Sequence, residues 1–414
     1  MNQQSDTMQK PVKTPAYAWG VLFALYMVTL SATLNLFKVP PLMVTLNTAF
    51  NVTFVETGDL MSIFSVMGFI LAIPAGFILR KLGIKITALI SVAAVAIGPA
   101  IGAMAGESFN LLYASRFIEG IGMGLIMVTA PFAISVWFPL HNRSLPTGLW
   151  ATSVGFGNII MLFIAPSLAA NHGWQLVWWI CAGFSALSFV IFAIMFRMPR
   201  EDEMEPAPAP PPGTEEKAPS LLKGMANSNF WLIAIAFGCY NLVVMAITNF
   251  YPSFLMQVRN FQPTYDKGPL MHASFVTAFV FGASIFTAPG GGYISDRLGK
   301  RKIMILIPFI LVTLSFLFPF KVEGSMIPLY TLIFGIVGGP IAAVLLASVP
   351  EVAKKPQYIG IGMSVAIFGQ NIGMFVAGSL FPRIQEATSW ATAGYWMIPF
   401  GVAGIIATLL IKVR

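Results

Sequence analysis

Two stretches of the chain, GFILRKLGIK at residues 76–85 and GYISDRLGKR at residues 292–301, resemble each other and decide how the chain is read. Gly76 aligns with Gly292, and basic residues recur at matching places after it. Each stretch follows a long apolar run. Corresponding motifs in two halves indicate an internal repeat, which is the usual organisation of membrane carriers with a central binding site.

The composition supports a membrane protein. Of 414 residues, 57% are hydrophobic and 10% are charged, whereas soluble domains carry about 25% charged residues. Apolar windows of about 20 residues mark membrane helices. We predict an all-α membrane protein with twelve transmembrane helices in two pseudo-symmetric six-helix bundles, at residues 16–46, 58–80, 84–105, 109–137, 145–170, 174–197, 228–257, 270–295, 302–320, 326–349, 357–382 and 389–411.

The break between the bundles is acidic and rich in proline, REDEMEPAPAPPPGTEEKAPS at residues 200–219. Such a composition cannot bury apolar surface and predicts an extended or disordered linker. The predicted organisation is an N-terminal bundle with a short tail (1–199), a cytoplasmic linker (200–225) and a C-terminal bundle (226–414).

The basic residues predict the orientation. Of 24 Lys and Arg residues, 18 fall on one side of the predicted spans, 4 on the other, and Lys38 and Arg116 lie within spans. The side with more basic residues is cytoplasmic. We therefore predict a multi-pass protein of a bacterial-type inner (plasma) membrane, with both termini cytoplasmic. This distribution also accounts for the net charge of +8 without a nucleic-acid partner.

Motifs of soluble catalysis are missing from the sequence. It contains no P-loop, HExxH, GxSxG or dinucleotide-binding fingerprint. The three histidines, His141, His172 and His272, have no metal-ligand spacing, and Cys181 and Cys239 lie in apolar runs. We predict no enzyme activity, no cofactor and no metal, and an ion gradient or exchange rather than ATP as the source of energy.

Lys38 stands within the first span, in LNLFKVPPLM at residues 34–43. A charged amine at that depth costs roughly 2.5–3.5 kcal/mol, so it should face a cavity or a partner. Pro40 and Pro41 should kink the helix and free carbonyl groups nearby. One hypothesis is that Lys38 binds an anionic substrate, because no partner lies close in sequence. The alternative is that it reaches the interface or pairs with Asp59.

Arg116 and Glu119 lie one turn apart on the fourth span, so their side chains share a face. Glu119 is the one carboxylate predicted well inside a span. It either carries protons, with Arg116 as the coupled charge, or forms a permanently ionised structural pair.

Other polar side chains in mid-span are candidates for lining a substrate site. The alternative for each is a hydrogen bond between helices. Tyr251 is the repeat counterpart of Lys38, and it also precedes a proline. The full set predicted to assist Lys38 is Tyr251, Asn35, Asn158, Tyr240, Asn249, Gln370 and Asn371.

These motifs resemble the major facilitator superfamily over nearly the whole chain. GYISDRLGKRK is similar to the loop signature of that family, and RFIEGIGMG (116–124) is similar to the pattern of its fourth helix. WFPLHNR, ending at Arg143, resembles the loop between its fourth and fifth helices. The first span resembles that of cyanate-permease-like and related anion carriers, where a basic residue stands beside Asn and Pro.

The chain departs from the family pattern at two places. Arg80 stands where the first-half loop signature would have Asp, and the fifth span lacks the Gly-Pro motif of drug/proton antiporters. The resemblance implies that the second-half loop latches the gate, with Asp296 near the N-terminus of the fifth helix. The loop residues concerned are Gly292, Asp296, Arg297, Gly299 and Arg301.

The predicted function is secondary active transport of a small anion, of an organic carboxylate type, by alternating access. Coupling to protons or to a counter-substrate is left open, with Glu119 as the residue to test. One alternative is a proton-driven multidrug or metabolite efflux pump, and another is a membrane receptor or embedded enzyme that no longer transports. The predicted partners are the small-molecule substrate and the lipid bilayer, and the predicted state is a monomer.

Overall fold

The computed structural model describes residues 15–72, 74–138, 144–200, 203, 224–353 and 358–413. This part of the chain is built from α-helices and two short 3₁₀ turns. The helices are α1 (Ala16–Phe37), α2 (Met43–Phe50), α3 (Phe54–Leu71), α4 (Pro74–Ala103), α5 (Phe109–Trp137), α6 (Ser144–His172), α7 (Trp174–Met195), α8 (Ser228–Val258), α9 (Ala273–Leu298), α10 (Arg301–Ser315), α11 (Met326–Val352), α12 (Ile359–Ala387), α13 (Trp390–Tyr395) and α14 (Met397–Leu410).

The helices confirm the predicted all-α membrane architecture. Eleven helical segments of the described residues are long and apolar enough to cross a membrane. The predicted ninth span corresponds to α10, which has 15 residues. At 1.5 Å per residue it is about 22 Å long, shorter than a full span.

The double proline breaks the first span, as its sequence predicted. The helix α1 ends at Phe37, a 3₁₀ turn covers Pro40–Leu42, and α2 resumes at Met43. A proline has no N–H for the carbonyl one turn back, so the regular ladder cannot continue through this point.

The second and third spans are divided differently from the prediction. The second span consists of α3 and the beginning of α4, because α4 continues to Gly83 before it turns. Gly83 has φ 78°, a left-handed conformation that side chains with a Cβ rarely adopt. The third span then follows as the remainder of α4.

The helices pack in two groups. In the first, α4 lies against α5 and α7; in the second, α8 lies against α12, and α9 against α11. The two groups meet where α3 packs on α12 and α6 on α9. The predicted linker lies mostly outside the described residues, as do the tail 1–14 and residues 139–143 of WFPLHNR, so the domain boundaries stay a prediction.

Glycines set the closest approach between helices. A Cβ on Gly122 would lie 2.5 Å from the carbonyl oxygen of Ser91, and one on Gly373 would collide with the backbone of Gly238. Small residues at helix crossings let backbones approach in a membrane, where no hydrophobic force drives helices together. The α4–α5 and α8–α12 contacts therefore depend on these positions.

We predict that Gly373→Ala lowers the midpoint of thermal unfolding in detergent, because the added methyl group forces α8 and α12 apart. The matched control is Gly183→Ala on α7, where a Cβ meets no atom within 4 Å. This control should unfold at or slightly above the wild-type temperature, since alanine favours helix over glycine by about 1 kcal/mol. Equal effects at both positions would contradict the assignment of Gly373 to a helix crossing.

Candidate functional site

A cavity of about 480 Å³ lies between the two groups of helices. Its wall is mostly apolar, with side chains such as Phe37, Phe64 and Met123. Its volume is that of a small-molecule site. None of the described lining residues is charged, and the polar ones are Ser65, Thr152, Tyr240, Asn241, Ser284, Gln370 and Asn371.

The cavity extends towards one end of the bundle. We call this end the linker end, since the chain leaves α7 and enters α8 there, and the opposite end the far end. The cavity reaches residues 148–155, in the first third of α6, and residues 284–289, in the last half of α9. Both segments lie on the linker side of their helices, so the cavity is deepest at mid-bundle and approaches the linker end.

Three charged side chains form a cluster behind the cavity wall. The Nζ of Lys38 lies 2.7 Å from Oε1 of Glu119, and Nη1 of Arg116 pairs with Oε2 of the same carboxylate. All three side chains have no exposed surface. Lys38 also donates to Oδ1 of Asn35 at 2.8 Å and lies 4.5 Å from the ring centre of Trp178. Two cations share one anion, so the cluster has a formal charge of +1.

The cluster also holds the broken first span in place. Nη1 of Arg116 donates to the carbonyl oxygen of Asn35 at 2.6 Å, and Nη2 lies 3.5 Å from that of Leu36. Pro40 would otherwise leave the Leu36 carbonyl without its helical donor, and a bare carbonyl is costly inside a membrane. Gly98 makes room for the anion, since a Cβ there would lie 2.5 Å from Cγ of Glu119.

The premise that Lys38 lacks a close partner is wrong. Its partner is Glu119, which is 81 positions away in sequence but lies on α5, a helix that packs against α1. Asp59, the alternative partner, pairs instead with Arg383. Lys38 is not among the residues that line the cavity. The buried carboxylate offers it a stronger interaction than an open cavity, because a charge pair is weakly screened away from water.

The predicted Arg116–Glu119 contact is present on α5, with Lys38 as a third member. Glu119 does not line the cavity either. Whether the carboxylate carries protons stays a prediction.

The other predicted residues fall into two groups. Tyr240, Gln370 and Asn371 line the central cavity, and Asn249 lines a much smaller one next to it. Asn35, Asn158 and Tyr251 are buried away from both cavities. Tyr251 donates to the carbonyl oxygen of Pro319 at 2.9 Å, so it packs within its own group of helices, as its repeat counterpart Lys38 does.

The cavity also contains polar residues that were not predicted as site residues. Asn241 accepts a hydrogen bond from Nε2 of Gln370 at 3.4 Å, and the two amides form a polar strip with Asn371. Asn241 belongs to the same set of amides and hydroxyls in the seventh span as Tyr240 and Asn249, although it was not among the residues predicted to assist Lys38. Ser65, Thr152 and Ser284 had no such signal, because serine and threonine are common at helix crossings.

The far end is closed by contacts between the two groups of helices. The rings of Phe54, Phe250 and Phe381 lie in a row: Phe54 packs at a tilt against Phe250, with ring centres 5.7 Å apart, and Phe250 stacks on Phe381 at 4.9 Å. Beside this row, Nη1 and Nη2 of Arg383 each lie 2.9 Å from an oxygen of the Asp59 carboxylate. These contacts join α3 to α8 and α12, so the cavity is sealed towards the far end.

The loop after α9 fastens the ends of three helices. Gly299 ends α9 with φ 61°, and Arg301 pairs with Asp296 at 2.7 Å and with Glu351 of α11 at 2.5 Å. Gly292 lies within α9, and Arg297 is exposed. The start of α6 adjoins residues 139–143, which lie outside the described residues, so the predicted contact of Asp296 with that helix stays a prediction.

We predict that Glu119→Gln destabilises the protein much more than Lys38→Met. Loss of Glu119 leaves two cations buried without an anion, which costs about 3–5 kcal/mol. Loss of Lys38 leaves a balanced Arg116–Glu119 pair. Thermal unfolding of the purified variants in detergent measures both effects.

The control for this pair is Glu323→Gln, which breaks the exposed ion pair with Arg259. An exposed pair contributes about 0–1 kcal/mol, so this variant should unfold near the wild-type temperature. Equal losses in the Lys38 and Glu119 variants would show that Glu119 is not the shared anion.

Comparison with known proteins places the chain in one family. The model of the Major Facilitator Superfamily matches residues 25–378 and 268–414. A nitrite extrusion protein of Bacillus subtilis is 23% identical over 81% of this chain and 78% of its own length. A probable sulfoacetate transporter of Cupriavidus necator is 22% identical over 71% of this chain and 68% of its own length.

Among solved structures, the fold is similar to that of a bacterial homologue of the human lysosomal transporter Spinster. The TM-score is 0.73 with 15% identity, covering 96% of this chain and 95% of that one. Three observations point to the same family: the two groups of helices, the cavity between them, and the match of the family model over most of the sequence. The chain belongs to the major facilitator superfamily of transporters.

Proposed function

We propose that the protein transports a small organic anion, with a carboxylate or a similar head group, across the inner membrane by alternating access. The observation that carries this proposal is the combination of an uncharged cavity wall with a buried positive cluster behind it. The cluster of Lys38, Arg116 and Glu119 lies one side-chain layer away, because the guanidinium of Arg116 lies 4.5 Å from the ring centre of Phe64, which lines the cavity.

The electrostatics favour a negative solute. A unit charge at roughly 10 Å contributes on the order of 1–2 kcal/mol at an effective dielectric constant of about 20. No acidic side chain among the described lining residues opposes it. Lys38 therefore acts on the substrate through its field, in place of the direct contact that its sequence position predicted.

The polar strip supports binding of an oxygen-rich head group. The amides of Asn241, Gln370 and Asn371 lie on the C-terminal half of the cavity wall, and amide N–H groups donate to carboxylate or sulfonate oxygens. The apolar remainder of the wall suits an organic body. One relative, the probable sulfoacetate transporter of Cupriavidus necator, is named for a substrate of this class.

The orientation follows from the basic residues, which favour the linker end as the cytoplasmic side. The cavity then faces the cytoplasm, and the seal of Phe54, Phe250 and Phe381 faces outwards. A proton route through Glu119 would have to break two ion pairs of a carboxylate that the cavity does not reach. We therefore propose exchange as the coupling mode.

A second candidate is efflux of apolar compounds, which the largely apolar wall of the cavity favours. Such compounds are commonly cationic, whereas the buried cluster repels cations. The charge of the transported solute therefore separates the two candidates.

We predict opposite effects of Gln370→Glu on anions and cations. In proteoliposomes, counterflow of small sulfonates and carboxylates should fall at least tenfold, because the new carboxylate faces the cavity. Gln370→Leu, which removes the amide without adding charge, should reduce it less. Any transport of cationic compounds should rise in this variant, because the new carboxylate attracts them. Wild-type protein that moves none of these anions, or a Gln370→Glu variant that moves them as fast as the wild type, would overturn anion transport.

We predict that Asp59→Asn makes the far end open more often. Loss of an exposed pair worth up to about 1 kcal/mol shifts a two-state equilibrium about fivefold. The readout is the rate at which a membrane-impermeant thiol reagent labels a cysteine placed at Ser62, in a background where Cys181 and Cys239 are replaced. Ser62 is buried at the α3–α12 contact.

The control for the gate is Glu323→Gln, since the Arg259–Glu323 pair lies at the same end but within one group of helices. It should leave the labelling rate unchanged. Equal acceleration by both variants would show that the Asp59–Arg383 pair has no special role in closing the far end.

A further inference from the structure

A second, much smaller cavity of about 10 Å³ adjoins the central one on its far-end side. We call it the Asn249 pocket. It shares most of its lining with the central cavity and adds three residues, each about one helical turn further towards the far end. Its lining residues are Leu36, Phe37, Pro40, Met61, Ser65, Met245, Asn249 and Met374.

The size and the wall of the pocket define what it can hold. About 10 Å³ is room for one water-sized group. The pocket lies where the first span is broken at Pro40, next to the side chains of Met61, Met245 and Met374. Methionine side chains are flexible and can move aside for a passing group.

Asn249 carries a polar group without a partner. Its side chain is 6% exposed, and its Oδ1 has no hydrogen-bond partner within the described part of the chain. Buried polar groups are normally paired, and an unpaired one is costly. On the same helix, Tyr240 and Asn241 are paired with Gly338 and Phe237. Asn158 on α6 also has a buried Oδ1 without a partner in the described part of the chain, but it lines neither cavity; Asn249 combines the unpaired oxygen with a place on the wall of the pocket.

The pocket lies between the central cavity and the seal. Asn249 is one turn beyond Met245, which lines both cavities, and it directly precedes Phe250 of the aromatic row. A solute that leaves the central cavity towards the far end must pass this level before the row of rings opens.

We propose that the Asn249 pocket is a second binding station on the transport path, which receives one small polar group of the substrate, a carboxylate or sulfonate oxygen. The amide can present its N–H₂ to such an oxygen by rotating about its terminal bond. This inference rests on the proposed transport of an organic anion. It adds a site that the substrate contacts while it moves from the central cavity towards the far end, after it has first bound in the central cavity.

The test compares Asn249→Leu with wild-type protein. The substitution keeps the size of the side chain and removes its amide. Exchange of sulfonates and carboxylates in proteoliposomes should fall at least tenfold. Binding of the same anions to purified protein, measured as the rise in unfolding temperature, should stay within twofold in apparent affinity. The unliganded variant should unfold no lower than the wild type, since an unpaired polar group has been removed.

The matched control is Ser253→Ala, one turn further along α8. The hydroxyl of Ser253 is also buried and has no partner in the described part of the chain, but Ser253 lines neither cavity. Its exchange rate should stay within twofold of the wild type.

The outcomes separate the two proposals. An Asn249→Leu variant that exchanges anions at the wild-type rate overturns the second station. A variant with a lower unfolding temperature that loses binding and exchange together also overturns it, because that result indicates a structural role. Wild-type protein that neither binds nor exchanges these anions overturns anion transport and this inference with it.

Discussion

The pairing of two cations with one buried carboxylate is the interaction on which the first half of the molecule depends. Glu119 binds Lys38 and Arg116, and Arg116 in turn donates to the carbonyl groups at the end of α1. A double proline inside a membrane span would otherwise leave carbonyl groups without donors in a medium that offers none. The guanidinium supplies these donors, and the carboxylate makes its burial tolerable. Gly98 on α4 is small because Glu119 occupies the space beside it.

The charged residues of the cluster and the polar residues that face the cavity lie in different places. The cluster lies behind the apolar wall, whereas amides and hydroxyls of Asn241, Gln370 and Ser65 face the cavity. In the proposed transport, an anion is attracted by the field of the cluster but is not held by a tight ion pair, which suits a carrier that must release what it binds. The amides lie on the C-terminal half and the cluster on the N-terminal half, so a bound anion would interact with both halves at once.

The seal at the far end has three parts. The small pocket beside Asn249 adjoins the cavity, the row of aromatic rings follows it along α8, and the pair of Asp59 and Arg383 joins α3 to α12 beside the row. The rings exclude water from the path, and the partly exposed ion pair adds little stability. A closure that relies on packing with a weak ion pair can open without a large cost, as alternating access requires.

Lys38 shows how far sequence reasoning could go. Its depth in an apolar span and the prolines beside it correctly indicated a buried amine at a broken helix. The conclusion that it had no partner failed, because nearness was measured along the chain and Glu119 lies on another helix. Gln370, Asn371 and Tyr240 were found because amides and hydroxyls are uncommon in mid-span. Asn35, Asn158 and Tyr251 satisfied the same criterion, yet they lie away from both cavities, since the direction of a side chain depends on how its helix is rotated against its neighbours.

The sequence by itself determined the class of the molecule: a bundle of apolar membrane helices, the repeat between its halves, the break at Pro40–Pro41 and the family. These properties can be read from the composition and the length of each segment, because every segment that crosses a membrane must meet the same requirements on its own. Only the tertiary structure decided which charges meet, which polar residues face the cavity and which end is closed. Those properties arise where helices distant in the chain come into contact, and a contact between Lys38 and Glu119 or between Asp59 and Arg383 exists only once the helices have packed.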